Sequence, residues 1–168
     1  YKWFSVVTQN PMCLNASIRK NIDIIGDAPD EKIWKVLDIV ALKEEVLSMP
    51  LGLDTLVGEG GQNISGGQKQ RLSIARAIAR KPEFYIFDDS FSALDYKTDR
   101  IFRSRLKEET QGVTTLIVAQ RIGTIKDADR ILVIKDGDII ESGNYQTLLN
   151  KNGFYAGLYN SKFENSAS

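Results

Sequence analysis

Two short runs in this 168-residue sequence carry groups able to act on a phosphate. The first is Ser65-Gly66-Gly67-Gln68. Ser65 suits a helix N-cap, and a helix starting there aims unpaired N–H groups and the positive end of its dipole forward. Gly66 and Gly67 carry no Cβ, so another group can approach the backbone closely. That chemistry is anion binding; the plainer reading is a cap after a flexible loop. The second run is Asp88-Asp89, directly after the apolar stretch Phe84-Tyr85-Ile86-Phe87. A continuous apolar run of this kind reads as a strand buried on both faces, and α/β proteins place ligands at the carboxyl ends of such strands. Two adjacent carboxylates there can hold a hydrated Mg²⁺ and orient a water. The plainer reading is a solvated strand end with one carboxylate capping the next helix.

The elements that position these runs are legible from pattern. Trp3 to Thr8 is β-branched and aromatic, a short strand ended by Gln9-Asn10-Pro11. Glu31 to Leu42 spaces Ile33, Trp34, Leu37, Val40 and Ala41 as a helix, with Asp30 as its cap after Pro29. Gly52 to Gly61 is loop. The helix opened by Ser65 buries Leu72, Ala75, Ile78 and Ala79, leaves Arg71, Arg76 and Arg80 on its polar face, and stops before Pro82. A helix from Lys97 to Glu109 and a buried strand from Thr114 to Val118 follow. Arg130–Ile134 and Ile139–Ile140 form a hairpin about Asp136-Gly137. Short helices run from Gln146 to Tyr159, and Ser161–Ser168 reads as a fraying polar tail. Strands alternating with helices predict an α/β sheet. The stretch from Asn15 to Lys81 is nearly strand-free and reads as an inserted helical subdomain.

Composition excludes several classes. Lys plus Arg and Asp plus Glu are both 22, so no basic excess exists to displace counterions from nucleic acid. There is no histidine, which removes the Ser-His-Asp triad, the HExxH zinc site and the imidazole pH switch. Cys13, the single cysteine, forms no intrachain disulfide and no cysteine metal cluster, and is read as a packing residue. No stretch approaches the ~20 apolar residues of a membrane span. The opening Tyr1–Val7 is no signal peptide and reads as the interior of a domain, so the sequence is expected to be a fragment. Trp34, Tyr145 and Tyr155 read as packing residues.

A phosphate cradle of the form G-x-x-x-x-G-K-[ST] is missing. The nearest string, Gly61 to Lys69, puts its lysine two places late and ends without Ser or Thr. Yet five segments occur in an order that resembles one family. Ile64-Ser65-Gly66-Gly67-Gln68, with Gln70-Arg71 and Ala75-Arg76-Ala77, resembles the signature motif of ATP-binding cassette (ABC) transporters. Phe84–Asp88 is similar to their Walker B strand, Ser92-Ala93-Leu94-Asp95 to their D-loop, Thr8-Gln9-Asn10-Pro11 to their Q-loop and Gly58-Glu59-Gly60-Gly61 to the X-loop of exporters. The likeness spans about Val6 to Tyr159 and is strongest to bacterial multidrug or lipid exporters.

The resemblance implies a partial P-loop NTPase (RecA-like) α/β core with an inserted helical subdomain. Residues 1–10 would hold the end of a core strand and the Q-loop, 11–81 the helical subdomain ending in the signature helix, and 82–168 the core with Walker B, D-loop and switch loop. It implies ATP and Mg²⁺, with Asp88 and Gln9 toward the metal and Ser65, Gly66, Gly67, Gln68 and Asp95 toward nucleotide. The Walker A loop would lie upstream of the Q-loop, so these 168 residues alone are not expected to bind ATP tightly. It implies a second nucleotide-binding domain pairing head-to-tail, a transmembrane domain upstream in the same chain, no nucleic acid, and a place on the cytoplasmic face of the plasma membrane. Glu59 would lie near that pairing interface, or simply be a solvated loop charge.

Two positions depart from the family. Asp89 stands where a glutamate usually polarises the attacking water, and Gln120 where a histidine usually meets the γ-phosphate. A carboxylate one methylene shorter falls ~1 Å or more short, a misplacement able to cost on the order of 10²-fold. Gln120 can donate a hydrogen bond but cannot carry a proton. With Gln9, these two are the candidate catalytic residues of the chain's own site, which is expected to be degenerate, while the signature is nearly intact. That asymmetry resembles heterodimeric exporters. Open alternatives are a slow homodimer and a catalytically silent ATP-binding assembly subunit. Neutral charge, the short helical insert and the Gly58-Glu59-Gly60 loop disfavour DNA-repair or chromosome ATPases and uptake systems.

Overall fold

The computed structural model describes residues 3–92 and 94–164. Ala93 of the D-loop-like run and the last tail residues, 165–168, lie outside the described residues. The chain divides into two compact units, residues 1–118 and 119–168.

The first unit is built on a three-stranded sheet. β1 (Phe4–Val7), β4 (Phe84–Asp88) and β5 (Thr114–Val118) lie in the order β1-β4-β5, with both pairings parallel. Val7 stands opposite Phe87, and Asp88 opposite Val118. Because side chains alternate along a strand, Ser5, Val7, Tyr85 and Phe87 point to one face and are buried there. Phe87, Phe91 and Phe102 continue that core as a series of tilted rings, each 5.3 Å from the next. Phe102 belongs to α5 (Tyr96–Glu109).

The opposite sheet face is open: Phe4, Val6, Leu116 and Val118 are exposed and Phe84 and Ile86 half-buried. The expectation that Phe84–Phe87 and Thr114–Val118 are buried on both faces is therefore corrected. Their apolar pattern is that of a two-sided strand, but no element among the described residues covers the second side.

Between β1 and β4 run mostly helices, as expected. α1 (Ile18–Ile22), α2 (Asp30–Ile39), α3 (Lys43–Leu47) and α4 (Gly66–Ala79) share one core with the sheet. One two-stranded antiparallel ribbon joins β2 (Ala16–Ser17) to β3 (Leu56–Val57). α2 differs from expectation at both ends. Pro29, not Asp30, is its N-cap, and Asp30 is the first helical residue, its carboxylate taken by Arg19. The helix ends at Ile39 because Ala41 turns into the left-handed region at φ 53°.

The second unit holds α6 (Ile122–Ile125), the hairpin β6 (Ile131–Lys135) and β7 (Asp138–Gly143), α7 (Tyr145–Asn150) and α8 (Phe154–Glu164). The hairpin turns where Asp-Gly requires it, with Asp136 and Gly137 at φ 52° and 89°. Ile122, Ile131, Val133, Leu148 and Tyr155 form its small core. Glu141 is buried, and its carboxylate accepts the Tyr155 N–H at 2.7 Å, so β7 holds the start of α8. Ser161 to Glu164 continue that helix rather than fraying.

Candidate functional site

α4 starts as a reciprocal cap. Ser65 Oγ accepts the Gln68 N–H at 3.1 Å, and the Ser65 N–H donates to Gln68 Oε1 at 2.8 Å. The Lys69 N–H reaches the Ser65 carbonyl at 2.9 Å. A helix leaves four N–H groups without intrahelical partners. Two of these four are thus satisfied, and Gly66 and Gly67 present the others forward. A Cβ on Gly66 would meet nothing within 4 Å, so the space beside its Cα is open. Two N–H groups and a serine hydroxyl on an exposed helix start make an anion cradle. The lysine of the decoy cradle has other work: Lys69 lies over Gly61, where a Cβ would come within 2.7 Å of its Cε.

The rest of α4 corrects one expectation. Arg71 and Arg76 are not a solvated polar face. Arg71 is buried, and its guanidinium meets the Glu45 carboxylate, the Ala41 carbonyl at 2.6 Å and the Gly67 carbonyl at 3.2 Å. Arg76 donates to the carbonyls of Asn21 at 2.6 Å and Met12 at 3.0 Å, and to Asn21 Oδ1 at 2.9 Å. Burial raises the Cys13 thiol pKa, with Arg76 and Lys69 opposing it. Helical spacing alone assigns a face by residue type, and it misses arginines that satisfy backbone carbonyls inside the fold.

The second cluster forms at the carboxyl ends of β1 and β4. Parallel register sets Val7 beside Phe87, so the residues two further on meet. Gln9 Nε2 donates to Asp89 Oδ2 at 3.3 Å across 80 residues of sequence. Asp89 continues the β4–β5 ladder, its N–H bonding the Val118 carbonyl at 2.8 Å. It does so at φ 44°, a left-handed conformation uncommon outside glycine, though less so for Asp. Buried Ser90 locks the turn, its hydroxyl donating to the Val7 carbonyl at 2.6 Å. Asp88 is the exposed last residue of β4.

The remaining expected site residues occupy caps and loops. Asp95 is the N-cap of α5, accepting the N–H groups of Lys97 and Thr98 at 3.1 and 2.9 Å. The Thr98 hydroxyl and these N–H groups hold its carboxyl below the usual range. Gln120 stands in an exposed bend two residues beyond the end of β5. The glycine-rich loop is stapled by Asn63, whose side chain accepts the Gly58 N–H at 2.7 Å and donates to the Leu56 carbonyl at 2.8 Å. Glu59 lies in the turn so formed.

The comparisons with known proteins bear on both clusters. Residues 2–92 match the family model described as ABC transporter. The chain belongs to the ABC transporter family. It is 43% identical over 160 residues to an uncharacterized ABC transporter ATP-binding protein, YwjA, of Bacillus subtilis (strain 168), covering 94% of this chain and 28% of that one. It is 42% identical over 164 residues to the ATP-dependent lipid A-core flippase of Burkholderia pseudomallei (strain 1710b), covering 97% and 27%. Among solved structures, a bacterial Atm1-family ABC exporter with ATP bound matches at TM-score 0.89 and 33% identity, over 95% of this chain and 28% of that one. The chain thus spans just over a quarter of the length of these relatives. It is a part of an ABC exporter ATP-binding domain, with the expected mixed α/β fold. No helix among the described residues is long and apolar enough to cross a membrane.

Two polar residues of this ABC domain, Glu45 and Asn21, escaped the sequence reading, and Gln68, read there as a residue toward nucleotide, also closes the cap of α4. Glu45 and Asn21 carry no motif and become visible only when the chain is folded. Gln68 had a signal: Ser-x-x-Gln ahead of an apolar helix is a capping box.

Proposed function

We propose that this chain serves an exporter in which paired nucleotide-binding domains bind and hydrolyse ATP, and that it contributes more to its partner's ATP site than to its own. In this reading the three segments 1–10, 11–81 and 82–168 take the roles of strand end and Q-loop, helical subdomain, and core. The cradle of Ser65, Gly66 and Gly67 faces the γ-phosphate held by the partner, a different subunit. Walker A residues outside these 168 hold the nucleotide of the chain's own site, and membrane helices of the same polypeptide, upstream, carry the substrate. The domain sits on the cytoplasmic face of the plasma membrane and takes no nucleic acid as partner.

The observation that carries the reading is the state of Asp89. It takes the place of the family's glutamate with one methylene less, is held at φ 44° and is tied to Gln9. The residues fit an Mg²⁺ that accompanies ATP. Gln9 spends its amide N–H on Asp89, which leaves Oε1 for a cation, and Asp88 presents an exposed carboxylate beside it in sequence. When bound, the ion neutralises charge on the transferring phosphoryl group. Gln120 positions a phosphate oxygen by donation alone, and Asp95 holds α5 and the turn before it. ATP in this site persists and clamps the pair, while turnover proceeds across the partner's site.

ATP hydrolysis by the complete transporter tests this. Gly67→Asp sets a charge and bulk against the partner's γ-phosphate and lowers turnover more than about 100-fold, whereas Asp89→Asn changes it less than about twofold. A collapse of turnover in Asp89→Asn instead makes Asp89 a working base and restores a symmetric two-site ATPase.

A further inference from the structure

We infer that Glu45, on α3, is a positioning residue for the Ser65–Gln68 cradle. The inference rests on the proposed role of that cradle. Glu45 is 20 residues before Ser65 and carries no motif, yet both of its oxygens are committed to α4. Oε2 accepts the Gln68 side-chain amide at 2.8 Å, and Oε1 receives the Arg71 guanidinium. Arg71 is in turn anchored to the carbonyls of Ala41 and Gly67.

The consequence lies in the two ends of the Gln68 amide. An amide can flip, exchanging its donor and acceptor ends at little cost unless its surroundings distinguish them. A carboxylate accepts and cannot donate, so Glu45 fixes the NH₂ end toward itself. The Ser65 N–H, a donor only, selects Oε1 at 2.8 Å from the other side, so the two contacts reinforce one orientation. With that N–H satisfied, Ser65 keeps the extended N-cap conformation, φ −66° and ψ 160°, in which its Oγ accepts from Gln68 N–H. The Oγ hydrogen is thereby left to point forward, alongside the N–H groups of Gly66 and Gly67. Arg71 does a second job. Its charge offsets that of Glu45, which would otherwise set a bare carboxylate behind an anion site. Glu45 itself touches no ligand; it determines which way the cradle's donors face.

The test uses ATP turnover by the complete transporter. Glu45→Ala removes one of the two contacts that orient the amide and lowers kcat about tenfold while KM for ATP moves less than about twofold, because the cradle meets phosphate only when the domains close. Glu45→Gln, with its carbonyl toward Gln68, restores at least about a third of wild-type kcat. Combined with Ser65→Ala, Glu45→Ala adds no further loss, since both act through one hydroxyl. A purely structural glutamate would give additive losses and no rescue by Gln, and either result overturns the inference. So does a Glu45→Ala kcat within about twofold of wild type while Ser65→Ala is impaired. If Ser65→Ala and Gly67→Asp are themselves harmless, the cradle's proposed role fails first, and this inference with it.

Discussion

The start of α4 and the end of β4 are both places where a regular element meets open space, and they are built in opposite ways. At the start of α4, Ser65 and Gln68 cap each other, Glu45 and Arg71 brace them, and two glycine N–H groups face forward. The Ser65 and Gln68 N–H groups and the Gln68 side chain are satisfied, and the Gly66 and Gly67 N–H groups are left over. At the end of β4, Asp89 sits at φ 44° and its carboxylate accepts from the Gln9 side-chain amide at 3.3 Å. The first region fixes its side chains by several hydrogen bonds; the second fixes its backbone through the Asp89 N–H and the Ser90 hydroxyl, but holds the Asp89 carboxylate by one long bond. Under the proposed function this contrast has a reason: donors for a partner's phosphate need to be fixed in place, whereas a site that only holds nucleotide tolerates a looser carboxylate.

Three changes sharpen or break this contrast. The largest effect falls on the bracing of α4. Arg76→Met removes three charge-assisted hydrogen bonds and strands the carbonyls of Asn21 and Met12. Unfolding in urea should show a loss of about 3 kcal/mol, at the level of breaking bonds from a charged donor inside a fold. A loss under about 1 kcal/mol would mean that α4 is held by its apolar face alone.

The next change is at Asp89. Asp89→Gly relieves the left-handed backbone and forfeits one long hydrogen bond. Stability should rise by about 0.5–1 kcal/mol in the same unfolding measurement. A destabilised variant would show that the Gln9 bond outweighs the strain, and the end of β4 would then resemble the start of α4.

The smallest effect concerns acid. The folded Asp95 carboxyl titrates below its ordinary value of 3.8 because Thr98 and two N–H groups favour the ionised form. Its contribution to stability is present above pH 3.8 and is lost as pH falls through the lower folded value. Asp95→Asn keeps a cap at α5 while removing the titration, so its stability falls less between pH 4 and 2 than wild type's, by thermal melts about one unit apart. Equal acid losses in both proteins would place the acid sensitivity elsewhere.

Much of this was readable from residue order because its causes are local. The Asp136-Gly137 hairpin, the strand Thr114–Val118 and the cap at Ser65 depend on turn chemistry, β-branching and a hydroxyl one turn from its N–H. The bond between Gln9 and Asp89 also follows from sequence in part, since each stands just past an apolar strand. The cap of α2 was misplaced because Asp30 had a distant suitor, Arg19, that local rules do not see. The arginines of α4 were misread for the same reason: their partners, Glu45, Asn21, Met12 and Ala41, lie 26 to 64 residues away in sequence.

By itself the sequence determined the family, the α/β plan, and the identity of each donor and acceptor. Five motifs in order are a one-dimensional property, and glycine, serine and aspartate bring their chemistry wherever they fall. Only the tertiary structure decided which of those groups are spent internally and which are left for a ligand. That choice depends on register between parallel strands and on side chains from separate helices converging. Gln9 is turned toward Asp89 by the pairing of Val7 with Phe87, and Gln68 toward Glu45 by the packing of α3 against the start of α4.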